Sequence, residues 1–213
     1  MTVVRLSRIY YPVTVLGPGQ RLGIWFQGCT LRCPGCMSHD TWDPQAGINY
    51  EIKEIIDKIE IYTDEKIAGV TISGGEPFQQ PDALMELIDG LRKSEFLSRK
   101  EIDIICYSGF NEQFLRENYA NIIERLDVLI PEPYNPRMIS NESWRGSNNQ
   151  PFILLTPLGA KRFNVNFKSR RIQLEIDDDS IEIIGIPQRG DLRLIERQLA
   201  EIGISLENVS WRP

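Results

Sequence analysis

The sequence predicts an α/β fold: a parallel sheet covered by helices, with a hairpin and a last helix added at the C-terminus. Three observations carry this. Short β-branched runs, GVTIS at 69–73, IDIICY at 102–107 and DVLI at 127–130, alternate with stretches of helical period. Two of these runs end in glycine turns, Gly74-Gly75-Glu76-Pro77 and Ser108-Gly109. Beyond residue 170 the period changes to two on either side of the turn Asp177-Asp178-Asp179-Ser180.

Taken in order, residues 8–20 read as a short segment broken by Gly17-Pro18-Gly19, and the first strand is 21–27, RLGIWFQ. Asn49 caps a helix running to about 61, with Ile52, Ile55, Ile56 and Ile59 on one face. The strand 69–73 follows. Pro81 then starts a helix to about 93 whose buried stripe is Leu84, Leu87, Ile88 and Leu91. After the strand 102–107 comes a polar helix, 111–125, read as a solvated face, and after it the strand 127–130. Residues 131–150 form a connection long enough to be functional or disordered. FILLTP is strand-like, 171–176 and 181–184 form the hairpin, and 191–202 is the last helix. Right-handed crossovers bring the strand-end loops to one rim, so 1–150 reads as a core domain and 151–213 as an extension packed on it.

Composition narrows the function. At 213 residues the chain is large enough for a substantial core without staples. Lys plus Arg 24 against Asp plus Glu 30 gives a net charge of −6, which disfavours nucleic acid and anionic membrane as bulk-charge partners. Lys168, Arg170 and Arg171 make a local basic patch, read as a solvated strand end. No apolar run approaches the ~20 residues that span a bilayer, and the N-terminus lacks a signal-like segment, so a cytoplasmic protein is expected.

The chemistry lies in residues 26–43, FQGCTLRCPGCMSHDTWD, where Cys29, Cys33 and Cys36 can converge on one soft metal centre. Three thiolates are one short of a closed site, which leaves a coordination position open. Cys106, in the apolar run DIICY, reads as core filler. Two readings stand at this point: a four-iron cluster with one free iron, or a zinc site completed by His39, the only histidine. The loop Ser73-Gly74-Gly75-Glu76-Pro77 favours the first, because a ligand lying against a cluster needs backbone it can approach, whereas a zinc knuckle does not. Trp42 and Trp144 read as packing residues.

With that spacing, followed by Gly74-Gly75-Glu76-Pro77, the chain resembles the radical S-adenosylmethionine superfamily, and within it the glycyl-radical-enzyme activases of the anaerobic ribonucleotide reductase type. Tyr11-Pro12-Val13, Gly17-Pro18-Gly19, Gly28-Cys29, Cys33-Pro34-Gly35-Cys36, Thr41-Trp42, Tyr107-Ser108-Gly109, the strand 127–130, Trp144-Arg145-Gly146-Ser147 and Asn149-Gln150 carry the likeness over about residues 8–150. It implies a partial (β/α) barrel and a [4Fe-4S] cluster on Cys29, Cys33 and Cys36, with S-adenosylmethionine on the unique iron. Gly35, Cys36 and Met37 are then expected on the methyl-donor side, Ser73, Gly74 and Gly75 at the methionine ammonium, Tyr107 and Ser108 along the nucleoside, and Gly146 and Ser147 as a further wall. Glu76 either touches the ligand or fixes its loop. No side chain is expected to act as a general base, so no catalytic residue is assigned. The implied partners are a larger glycyl-radical protein and a flavodoxin or ferredoxin type electron donor. The alternatives are radical chemistry on a small molecule or peptide, and a non-enzymatic zinc or iron-sulfur interaction module. Residues 151–213 lie outside the resemblance, which leaves the substrate open.

Overall fold

A computed structural model describes residues 2–163, 171–177, 180–207 and 209–210. Lys168 and Arg170 of the basic patch, and Asp178 and Asp179 of the hairpin turn, lie outside the described residues.

The first strand is β1, Val3–Val13, and it pairs antiparallel with β2, Gln20–Phe26. The six residues between them are too few for the crossover that parallel pairing needs. A short strand β3, Ile48–Glu51, adds antiparallel to the other edge of β1. The expectation of a helix from Asn49 is therefore corrected: strand pairing takes 48–51, and helical structure begins only at α1, Ile52–Asp57, breaks at Lys58 and resumes as α2, Ile59–Tyr62. Ile52, Ile55 and Ile59 are buried as the isoleucine spacing requires.

The parallel part of the sheet runs through β2, β4 (Ile67–Gly74), β5 (Asp103–Tyr107) and β6 (Val128–Ile130). The last strand of the sheet, β7 (Ile153–Leu154), is antiparallel to β6. Seven strands thus lie in the order β3-β1-β2-β4-β5-β6-β7, parallel in the middle and antiparallel at both edges. Helix α3, Pro81–Lys93, buries Leu84, Leu87, Ile88 and Leu91, with Ala83 beside them. Each fully buried aliphatic side chain contributes roughly 1.5–3 kcal/mol. A short helix α4, Glu95–Ser98, precedes β5.

Helix α5, Glu112–Ile123, is capped by Asn111, whose Oδ1 accepts the Phe114 N–H at 2.8 Å. The expectation of a solvated helix here is half met. Its charged face is exposed, whereas Leu115, Ile122 and Ile123 enter the core.

At the far end of the sheet from the glycine loops, Arg21 and Asp103 form a fully buried ion pair at 2.6 Å. The guanidinium also reaches Thr71 Oγ1 at 2.7 Å and Val70 O at 2.8 Å, so neither charge is left uncompensated.

After helix α6, Pro157–Phe163, the extension continues as the antiparallel hairpin of β8 (Ile172–Ile176) and β9 (Ile181–Gly185), then helix α7, Asp191–Glu201. The hairpin docks on β1: Ile184 is buried with Val13, Val15, Leu16 and Trp25. Gln173 accepts the Thr14 N–H at 2.9 Å and donates to Pro12 O at 2.7 Å. Among the described residues no helix is long and apolar enough to cross a membrane.

Candidate active site

Because β2, β4, β5 and β6 are parallel, the loops that leave their C-terminal ends share one rim. The cysteine loop leaves β2, and its two ends are closed on each other. Gly28 N–H donates to Thr41 O at 2.8 Å and Cys29 N–H to Trp42 O at 3.1 Å. The Gln27 side chain adds bonds to Asp40 O at 2.9 Å and Asp43 O at 2.8 Å.

The glycine loop after β4 is stitched directly to this one. Gly75 N–H donates to Phe26 O at 2.7 Å and Glu76 N–H to Gly28 O at 2.8 Å. The contact is so close that a Cβ on Gly75 would stand 2.2 Å from Gly28 O, and Gly74 has φ +108° with its own Cβ direction 2.4 Å from the Phe26 backbone. Both glycines are therefore required by the meeting of two backbones, whatever ligand lies beyond them.

Glu76 is fully buried beneath the rim. Its carboxylate accepts from Phe78 N–H at 3.1 Å, Ser108 Oγ at 2.9 Å and Gly109 N–H at 2.6 Å. It joins the β4 loop to the β5 loop. Burial raises its pKa to about 7, against the lowering effect of the Gly109 and Phe78 amides and the Ser108 hydroxyl.

The three rim cysteines are partly exposed and Cys106 is buried, as expected. Each rim sulfur meets backbone N–H groups: Cys29 from Leu31 and Arg32, Cys33 from Tyr134, and Cys36 from Ser38 at 3.4 Å. Burial pushes the Cys29 and Cys33 thiols up while these amides pull them down. Such donors suit thiolates that carry ligand charge.

Among the described residues no three His, Cys, Asp or Glu side chains stand close enough to hold a single metal ion. His39 is not part of any such group. His39 stacks instead against Trp42 at 4.2 Å. A four-iron cube makes a different demand, because each thiolate binds a different iron and the sulfurs stand wider apart than around one ion. The donor set fits that group: three amide-supported thiolates on one loop, with Cys36 on the wall of a cavity.

That cavity has a volume of about 900 Å³. Of the residues expected at the cofactor, Gly35, Cys36, Met37, Ser73, Tyr107 and Gly146 line it. Gly74, Gly75, Glu76, Ser108 and Ser147 are not among its lining residues. Gly74 and Gly75 pack on the cysteine loop, Glu76 and Ser108 bond each other, and the fully buried Ser147 accepts the Asn135 N–H at 3.1 Å. Tyr107 donates to Trp144 O at 2.7 Å, and the Trp144 ring packs on Phe163 at 5.2 Å, which places that tryptophan in the packing role expected of it.

The structure brings further residues to the site. Residues 131–150 are ordered: Gln150 Oε1 accepts the Gly146 and Ser147 amides, both at 3.1 Å. This sets Tyr134 and Pro136 between the main cavity and a smaller one of about 700 Å³ beside Cys33. The far wall of the main cavity is the extension, from Ile183 through Gln188 to Arg193. Ser210 returns to the cysteine loop, accepting the His39 N–H at 2.9 Å and donating its hydroxyl to Met37 O at 3.1 Å. These contacts join segments about 170 positions apart, and no local pattern announces them.

Comparison with known proteins places this geometry. The sequence profile of the 4Fe-4S single cluster domain matches residues 15–153. The chain is 31% identical over 152 residues to the anaerobic ribonucleoside-triphosphate reductase-activating protein of Vibrio cholerae, which covers 66% of this chain and 92% of that one. To the protein of the same name from Enterobacteria phage T4 it is 28% identical over 146 residues, 68% of this chain and 90% of the other. To the pyruvate formate-lyase-activating enzyme of Clostridium pasteurianum it is 37% identical over 133 residues, 61% of this chain but only 52% of that enzyme's length. The extension beyond residue 153 lies outside the profile match. The chain belongs to the 4Fe-4S single cluster domain family and is an oxidoreductase of the radical S-adenosylmethionine activating type, with a [4Fe-4S] cluster and S-adenosylmethionine as its cofactors.

Proposed function

We propose that this chain cleaves S-adenosylmethionine reductively and directs the resulting radical to a glycine of a larger partner protein. When bound, the cluster and S-adenosylmethionine supply one electron and a scissile sulfur–carbon bond, giving methionine and a 5'-deoxyadenosyl radical that abstracts hydrogen. Cys29, Cys33 and Cys36 hold three of the four irons. Gly35 and Met37 flank the third thiolate on the cavity wall and present backbone to the ligand, Ser73 closes the side nearest β4, and Tyr107 with Gly146 forms the side nearest the nucleoside. Gly74 and Gly75 keep the cysteine loop and the β4 loop in contact. Glu76, from beneath, fixes the β4 and β5 loops relative to each other.

The observation that carries the reading is the convergence of the cysteine loop, Ser73 and Tyr107 on one cavity from three successive parallel strands. The strand order supports a partial (β/α) barrel for a core of residues 1–150, with 151–213 as an extension closing part of its open side. A cytoplasmic setting, where thiols stay reduced, and a flavodoxin or ferredoxin type electron donor belong to the same proposal. Incubating the reconstituted chain anaerobically with reductant, S-adenosylmethionine and a glycyl-radical protein encoded beside it tests the reading. A glycyl radical signal by electron paramagnetic resonance is expected; 5'-deoxyadenosine without such a signal would reject the protein substrate.

One observation favours a second reading, in which the radical acts on a small molecule. Residues between 183 and 196 of the extension line the cavity together with the cysteine loop, which leaves less of it open to an inserted protein segment.

A further inference from the structure

We infer that the C-terminal extension makes the main cavity a site for an anionic small molecule, whose carboxylate or phosphate group is held by Arg189 and Arg193 beside S-adenosylmethionine. The inference rests on the second reading above and deepens it. Its first support is charge. Apart from the Cys36 ligand, the charged side chains among the described residues lining the cavity are Arg8, Arg189, Arg193 and Glu196, three cations to one carboxylate, on a chain whose net charge is −6. The cavity is a local reversal of the protein's overall field, and such a reversal concentrates anions.

The three cations differ in availability. Arg8 is engaged: it lies 3.4 Å from Glu182 and 3.9 Å from Asp40, with its guanidinium over the Trp25 ring at 5.2 Å. Arg189 and Arg193 make no hydrogen bond or ion pair among the described residues, and both are exposed. They bracket the start of α7, where Gly190 at the N-cap provides no side-chain cap. Asp191 is engaged, with its carboxylate accepting the Gln188 N–H at 2.7 Å, and it is not among the residues that line the cavity. Two free guanidinium forks beside an uncapped helix start suit a carboxylate or phosphate.

Space and position agree. The cavity, at about 900 Å³, is at the top of the range of roughly 300–1,000 Å³ for small-molecule sites. The residues assigned to the nucleoside, Tyr107 and Gly146, line the same cavity as the arginines. They fall within the family match of residues 15–153, whereas Arg189 and Arg193 fall outside it. Cofactor chemistry thus belongs to the shared wall and substrate choice to the added one.

Calorimetric titration of the full chain with inorganic phosphate and with citrate, followed also by Trp25 fluorescence, tests this. The tighter of the two anions identifies the group as phosphate or carboxylate. Arg189→Ala/Arg193→Ala is expected to weaken that anion at least tenfold and to leave S-adenosylmethionine affinity unchanged. Arg197→Ala, on the same helix but outside the cavity, is expected to bind as the wild type does. Equal anion affinity in the wild type and the double variant would overturn the inference, as would a wild type that binds S-adenosylmethionine but neither anion. A wild type that binds no S-adenosylmethionine overturns the proposed function as well.

Discussion

The cysteine rim and the C-terminal extension meet across one cavity and are held by different kinds of bond. The rim is closed backbone to backbone: Gly28 on Thr41, Cys29 on Trp42, Gly75 on Phe26 and Glu76 on Gly28. Such contacts depend on the path of the chain and tolerate almost any side chain that leaves the path intact, glycines excepted. The extension is attached largely through side chains, with Gln173 on Pro12 and Thr14, Arg8 on Glu182, and Ile184 in the small cluster around Trp25. The rim therefore has little freedom to vary, and it lies within the family match of residues 15–153. The extension can change its contacts one residue at a time, which is where substrate choice can diverge.

The largest effect that sharpens this contrast is loss of a ligand. Cys29→Ala, Cys33→Ala or Cys36→Ala is expected to abolish 5'-deoxyadenosine formation and to lower iron content after anaerobic reconstitution. Cys106→Ala, in the buried core, is expected to keep the iron and lose only about 1–2 kcal/mol of stability. A Cys106 variant without iron would transfer a ligand role to the core.

Gly75→Ala comes next. Its Cβ meets the Gly28 carbonyl, which cannot rotate away, so overpacking of about 3 kcal/mol is expected. Urea denaturation of the cofactor-free chain measures it. Gly190→Ala in the extension meets nothing within 4 Å, although its φ of +100° makes the change a strained one. It is expected to cost about 1 kcal/mol. Equal losses at the two glycines would erase the distinction between the regions.

A pH dependence follows from Glu76. The folded chain keeps this proton up to about pH 7, whereas the unfolded chain releases it near the ordinary glutamate value of 4.5. Between those values the folded state binds more protons, so this group's contribution to stability falls as pH rises through the window. The melting temperature of the cofactor-free chain is expected to decline between about pH 5 and pH 8 more steeply than that of Glu76→Gln. Parallel profiles would show that the buried carboxylate is ionised throughout.

The smallest effect concerns the point where the two regions touch. Ending the chain at residue 207 removes the partner of the His39 amide. Hydrogen exchange at His39 is expected to quicken several-fold, with the amides of Gly75 and Glu76 unchanged.

Much of the site was legible because it is local. Cys29, Cys33 and Cys36 sit within eight residues, and the turn glycines follow strands with clear β-branched runs. Helix α3 begins and ends where Pro81 and the Leu84, Leu87, Ile88, Leu91 stripe place it. What escaped is non-local. Residues 8–20 read only as a short segment broken by Gly17-Pro18-Gly19, yet β1 runs from Val3 to Val13 because β2 and β3 supply partners on both edges. Residues 48–51 fit a helix cap until β1 offers them a pairing edge. The Arg21–Asp103 pair joins two strands 82 positions apart, and a charged residue within a strand gives no hint of its counter-ion. For Gly74 and Gly75 the sequence suggests ligand approach, and the structure adds a contact between two loops that no local pattern announces.

The most direct measurement is the electron paramagnetic resonance spectrum of the anaerobically reconstituted, reduced chain, recorded with and without S-adenosylmethionine. Three protein thiolates on four irons predict a [4Fe-4S] signal that changes on adding S-adenosylmethionine. A signal identical in both samples would mean that every iron already has a protein ligand, and would contradict the account.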